Sequence, residues 1–292
     1  SIAFSGRKAA EFRADGIMGD STWYRLTRPF GQHVRQMVLT LERWRWLPRV
    51  FTSPPILINI PAFRLHLFTS GNDAEETVIS MNVVVGEAYK NDTPVFAEEM
   101  THLVFRPYWE VPTSIMLGEI RPKAMGDSTY LVRNHYDLMQ GDVVVPATPE
   151  NLGAIGRAIR VRQQPGPWNS LGSVKFMLPN NLNIYLHDSP ARSLFDLARR
   201  DFSHGCVRVA DAALLAELVL RDQPAWTPAR IAAAMSDTVP RQVNLSRKIP
   251  VLVLYGTALA RESGQVFFYQ DIYGHDRSLQ RLLAAGYPYP RK

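Results

Sequence analysis

Val34, Met37, Val38, Leu41 and Trp44 recur at the three- and four-residue spacing of one helix face, and Pro48 closes the run. The pattern predicts a helix there. Beyond it the apolar positions shorten into strand-like segments at 56–60, 63–68, 77–85 and 101–105. Pro61 separates the first two, and Ser70-Gly71-Asn72-Asp73 supplies turn chemistry before the third. The β pattern continues at 157–162, 174–178 and 183–187, with Pro179-Asn180-Asn181 as the turn between the last two. Residues 251–255 and 265–269 read as closing strands. Many short strands with few helices between them predict a mainly β core with a few helices, not a doubly wound parallel sheet.

Residues 107–156 interrupt this rhythm. The stretch is rich in Pro, Gly and Met, alternates little and holds short helix-like pieces. An insertion of that length between strands is expected to form a cap or lid.

Composition narrows the picture only in part. The chain has 292 residues, 46% hydrophobic and 21% charged, which excludes disorder and leaves room for a large core. A net charge of +6 favours anionic partners, but no long basic run exists, so a nucleic-acid arm is not expected. No apolar stretch approaches a transmembrane span, and no signal-peptide pattern opens the chain. With a single cysteine, Cys206, an internal disulfide and a multi-thiolate zinc site are both excluded. His187, His204 and Asp188 show no metal-ligand spacing, so no metal and no cofactor is expected.

The neighbours of Cys206 carry the chemistry. It follows Gly205 and precedes an apolar-faced helix predicted over 211–220. A thiol near a helix N-terminus is favoured as thiolate, and a glycine allows close approach to a substrate carbonyl. The amides of Gly205 and Cys206 are then oxyanion-hole candidates. His187 ends the preceding strand, and Ser189-Pro190 reads as the start of a short helix. Cysteine with histidine in reach is the minimal activated nucleophile. The group that orients the imidazole is either the Asp188 carboxylate or a backbone carbonyl near it. His204, two residues before the thiol, is poorly placed as base and is expected to hold the loop. Trp109, Trp168 and Tyr185 are candidate site-wall aromatics or packing residues. Arg208 either orders the loop or faces a substrate carboxylate.

His187, a gap of fifteen residues, and Ser203-His204-Gly205-Cys206-Val207-Arg208 together resemble the signature of the L,D-transpeptidase family, the YkuD-type catalytic domain. Glu42-Arg43-Trp44-Arg45-Trp46-Leu47-Pro48, Asn59-Ile60-Pro61-Ala62-Phe63 and the stretch Pro165 to Phe176 resemble its large Gram-negative branch, which carries an inserted capping subdomain. Arg208 stands where the commoner signature has Asn. The resemblance implies a β-sandwich-type catalytic domain over 36–292 with a cap at about 107–156. Asp15-Gly16-Ile17-Met18-Gly19-Asp20-Ser21-Thr22-Trp23 resembles the end of a helical peptidoglycan-binding module, so 1–35 is expected to be a remnant of one.

The same resemblance implies acyl transfer on peptidoglycan stem peptides in the periplasm, with Cys206 forming a thioester and His187 as general base and acid. A tetrapeptide stem would be the donor and the diaminopimelate amine of another stem the acceptor, giving a 3→3 cross-link. Catalytic roles fall to Cys206, His187, Asp188, His204 and Gly205, and substrate contacts to Arg208, Ser203, Tyr185, Trp168 and Asn169. Water as acceptor would make a carboxypeptidase or endopeptidase, a protein lysine an attachment enzyme. A non-catalytic peptidoglycan-binding protein is the alternative of another class.

Overall fold

The computed structural model describes residues 27–48, 50–51, 53–68, 77–260 and 264–287. The Asp15 to Trp23 motif lies outside them. Helix α1 (Phe30–Trp44) leads into β1 (Ile56–Asn59), β2 (Arg64–Phe68), β3 (Thr77–Gly86) and β4 (Phe96–Phe105). The insertion follows: β5 (Trp109–Glu110), α2 (Thr113–Ile115), a π-helical turn (Met116–Ile120), α3 (Arg121–Gly126), α4 (Tyr130–Arg133), β6 (Tyr136–Gln140), β7 (Val143–Val145), α5 (Pro149–Gly153) and β8 (Arg160–Gln163). The body resumes with β9 (Val174–Met177), β10 (Leu186–His187), a 3-10 turn (Arg192–Asp196), β11 (Asp201–Ser203), β12 (Val207–Val209), α6 (Ala212–Val219) and α7 (Pro228–Ser236). It ends with β13 (Arg241–Leu254), β14 (Ala258–Ala260), β15 (Val266–Phe268) and α8 (His275–Ala284).

The body strands pair in the order β3, β12, β10, β9, β4, β13, β1, β2, and β2 pairs back onto β3. The circuit closes on itself, which leaves few free strand edges. β11 adds alongside the end of β3. Alternation along each strand sends one set of side chains inward: Ile58, Leu65, Val83, Leu103, Phe176, Leu186, Val207 and Val253 are all fully buried in one cluster with Leu215 of α6. This is the mainly β architecture with few helices that the pattern predicts.

Four local expectations change. The predicted apolar face of α1 points largely outward: Leu41 is 58% exposed, Val34, Val38 and Trp44 are exposed with it, and Met37 is half-buried. The side buried against the body is polar apart from Leu39, because α1 lies on backbone amides and carbonyls around β14 and β15. The Gln36 amide donates to the Tyr269 carbonyl at 2.9 Å, Thr40 Oγ1 accepts from the Ala258 N–H at 3.2 Å, and Arg43 pairs with Asp276 at 2.6 Å. Periodicity identified the helix but not its covered side. The predicted closing strand at 265–269 pairs only with β14, in a separate two-stranded sheet. The strand predicted at 183–187 begins only at Leu186, because Asn180 Oδ1 accepts from the Ile184 N–H and Asn183 adopts a left-handed φ of 55°. The helix expected at Ser189-Pro190 is the 3-10 turn two residues on.

The insertion is a folded unit with its own sheet, ordered β5, β8, β6, β7, and its own apolar cluster. Ile115, Met116, Ile120, Leu131, Leu138, Ile155, Ile159 and Val161 form that cluster. The strand predicted at 157–162 belongs here rather than to the body, so the unit runs on through Gln163.

Candidate active site

Strand register assembles the site. β10 runs parallel to β12 with Leu186 opposite Val207 and His187 opposite Arg208. β9 runs antiparallel to β10 with Phe176 opposite Leu186 and Lys175 opposite His187. Leu186, Val207 and Phe176 go into the core, so His187, Arg208 and Lys175 share the opposite face. Tyr185 and Cys206 lie two residues back along the same two strand lines and fall on that face too. The sequence expects Cys206 and His187 in one site; the register sets both on the outer face of two adjacent strand lines.

His187 is buried, and its Nδ1 lies 2.5 Å from the Asp188 carbonyl oxygen. A carbonyl only accepts, so Nδ1 carries the proton and Nε2 is left as a base. Burial, reinforced by the Arg208 charge, lowers its pKa to about 3, against the carbonyls of Asp188 and Leu171. The Asp188 carboxylate faces elsewhere, accepting from the Ser173 N–H at 2.9 Å and pairing with Arg192 at 3.3 Å. Of the two orienting groups left open by the sequence, the backbone carbonyl is the one in contact with the ring.

The half-buried Cys206 thiol lies 3.5 Å from the Asn183 carbonyl oxygen, to which it donates. Burial raises its pKa above the ordinary value of 9.0, while the Tyr185 N–H and phenol, Arg208 and Lys175 pull it partly back. The expected stabilisation by a helix N-terminus is absent: β12, about 10 Å of extended chain, separates the thiol from α6, and the macrodipole acts over little more than one turn. Cys206 and His187 therefore rest as a neutral pair. Alkylation of Cys206 by iodoacetamide is accordingly expected to keep rising through pH 9, because thiolate forms only as the pH passes the raised pKa. A plateau near pH 7 would contradict the neutral pair.

The turn carrying Cys206 is built by Ser203 and Gly205. Gly205 has φ 110°, open to glycine and strained for other residues. Buried Ser203 donates to the Cys206 carbonyl at 2.5 Å and accepts from the Gly205 N–H at 3.1 Å. Ser203 is thereby a loop-shaping residue rather than a substrate contact, and the Gly205 amide is already engaged. Of the two amides expected in the oxyanion hole, Cys206 N–H is the one with no partner among the described residues.

Other sequence candidates lie apart. Asn169 is fully buried, and its amide nitrogen donates to the carbonyls of Pro107 and Gln164 at 3.1 and 2.9 Å, tying the joint of the cap to the body. Trp168 stacks on His135 with ring centroids 3.5 Å apart. His204 is exposed and meets Glu119 of the cap at 2.7 Å. Trp109, also of the cap, lies close enough to the Tyr185 phenol to favour its ionised form against burial. Sequence reasoning missed Lys175 and Glu119. The strand alternation of 174–178 was the available signal for Lys175; a contact spanning 85 residues gave none for Glu119. Among the described residues no cluster of His, Cys, Asp or Glu is placed to hold a metal ion.

The closed β body carries Cys206, just ahead of β12, and His187, in the neighbouring β10, on one outer face. The L,D-transpeptidase catalytic domain family (YkuD) matches residues 54–251, and the chain belongs to that family. A Haemophilus influenzae protein named "Putative L,D-transpeptidase" is 30% identical over 84% of this chain and 49% of its own length, so the chain spans about half of that relative. L,D-transpeptidase 3 of Mycobacterium tuberculosis has 12% identity and a TM-score of 0.33 over 69% of this chain and 61% of its own. Bd1075 of Bdellovibrio bacteriovorus has 14% identity and a TM-score of 0.28 over 82% and 61%. The family match carries the assignment, and these distant overlays add nothing to it.

Proposed function

We propose that the chain is a peptidoglycan L,D-transpeptidase that forms 3→3 cross-links in the periplasm. The observation that carries the reading is the buried, Nδ1-protonated His187 on the face it shares with the Cys206 thiol, within the family's catalytic domain. Sγ attacks the carbonyl of the third stem residue as His187 Nε2 takes the thiol proton. The tetrahedral oxyanion collapses, the C–N bond breaks, and His187 returns the proton to the departing D-Ala amine. The thioester is then attacked by the side-chain amine of another stem's diaminopimelate, which loses a proton to His187 while sulfur leaves. Both groups start neutral, so proton transfer accompanies C–S bond formation rather than preceding it. Arg208 and Lys175 give this face a positive potential suited to a carboxylate-bearing stem. No described helix is long and apolar enough to cross a membrane.

Incubation with a defined tetrapeptide muropeptide, followed by weighing of the products, tests the reading. The expected product is a dimer lighter than two donors by one D-Ala. Tripeptide alone would make water the acceptor and the enzyme an L,D-carboxypeptidase. Absence of both products would overturn acyl transfer on this substrate.

The insertion acts as a lid in this proposal. It meets the site at Trp109–Tyr185 and Glu119–His204, and its apolar cluster makes it stiff enough to shed water from the thioester. Water and amine compete for one acyl-enzyme. Shortening the insertion is therefore expected to raise the ratio of tripeptide to dimer, read by mass spectrometry. An unchanged ratio in a folded variant would show that the unit sheds no water.

A further inference from the structure

Thr93 lies in the connection between β3 and β4, far in sequence from the nucleophile, yet directly beneath it. It is fully buried. Its Oγ1 donates to the Gly205 carbonyl at 2.7 Å and accepts from the Gly86 N–H at 2.8 Å. Its own N–H donates to the Tyr273 phenol at 3.2 Å, and that phenol donates to the Gly86 carbonyl at 2.7 Å. The Thr93 hydroxyl and N–H and the Tyr273 phenol are thus all paired, as burial demands. The packing is tight: a Cβ on Gly86 would fall 1.9 Å from the Asn91 carbonyl oxygen and 2.7 Å from the Thr93 nitrogen. Only glycine at 86 lets the connection fold back this closely. The Glu87 N–H also donates to the Ser203 carbonyl at 2.9 Å, so the connection grips the nucleophile turn at two points.

The consequence follows from peptide geometry. The Gly205–Cys206 peptide is planar and trans, so its C=O and N–H point in opposite directions. Anchoring the Gly205 oxygen on buried Thr93 turns the Cys206 N–H away from the interior, toward the open side where the thiol lies. We propose that Thr93 is a positioning residue that aims the Cys206 amide at the developing oxyanion, with Tyr273 locking it in place. Gly205, at φ 110°, has the backbone freedom to rotate this peptide if the anchor is lost. Tyr273 lies beyond residues 54–251, so a segment outside the matched catalytic domain helps set the nucleophile's geometry. The inference rests on Cys206 being the nucleophile.

The test compares Thr93→Val, Thr93→Ser and Tyr273→Phe with wild type in two reactions of Cys206. Acyl transfer from a tetrapeptide muropeptide builds an oxyanion; alkylation by iodoacetamide does not. Loss of an oxyanion donor costs about 10²–10³-fold. Thr93→Val is therefore expected to lose about 10–100-fold in acylation, the loss falling on kcat rather than KM, with alkylation within about twofold of wild type. Thr93→Ser keeps the hydroxyl and is expected to restore most of the rate, and Tyr273→Phe to lose a smaller factor. Wild-type acylation by Thr93→Val overturns the assignment. So does a parallel loss in both reactions that Thr93→Ser and Tyr273→Phe share, since that marks general loosening. If Thr93→Val does not fold, Thr93→Ser and Tyr273→Phe decide by the same comparison. Turnover by a Cys206→Ser protein would instead overturn the nucleophile reading itself.

Discussion

The Cys206→Ser protein is expected to fold like wild type and to turn over stem peptides at least about 10⁴-fold more slowly. Serine is nearly isosteric and the position is only half-buried, so little packing is lost. The chemistry is lost because His187, with a pKa lowered to about 3, is too weak a base to take a hydroxyl proton. Thiol acidity is already marginal here, since burial raises the Cys206 pKa. An oxygen nucleophile is less acidic still. Thermal melting checks the fold and product mass checks the rate.

His187→Ala is expected to lose about 10²–10⁴-fold in acylation, the usual range for a general acid–base group. Because His187 stays neutral far below the ordinary imidazole range, kcat/KM should show no acid limb near pH 6.5 from this residue. His204→Ala is the informative contrast. The structure shows an exposed bridge from His204 to Glu119, and exposed pairs are worth about 0–1 kcal/mol, so its melting temperature should hardly move. Large loss in His204→Ala with near-normal acylation in His187→Ala would make His204 the base and overturn the assignment to His187.

The sequence was most legible where the chemistry is local. Cys206 beside Gly205, and the helix after it, follow from short-range rules: Asp211 caps α6 by accepting from the Leu214 N–H at 3.0 Å, within one turn. The β character of the body followed from alternation, because a closed sheet with a packed interior needs it. What could not be read depends on contacts between distant segments. Asn169 resembled a substrate contact by motif, but its partners on either side of the cap bury it. The outward apolar stripe of α1 reflects the polar surface beneath the helix, which no property of α1 itself reports. Thr93 and Tyr273 carry no motif; 112 residues separate Thr93 from Gly205, and 180 separate it from Tyr273. The electrostatics of Cys206 were misread for a related reason. Adjacency in sequence to α6 suggested a dipole effect, whereas the intervening strand leaves burial in control.

Mapping of the acyl-enzyme tests the central claim most directly. Wild-type protein is mixed with a tetrapeptide muropeptide, quenched in acid during turnover, digested and weighed. The account predicts an adduct equal to the donor less D-Ala, confined to the peptide containing Cys206 and released by hydroxylamine as a thioester. Product accumulating with no adduct on Cys206, or with the adduct on another residue, would contradict it.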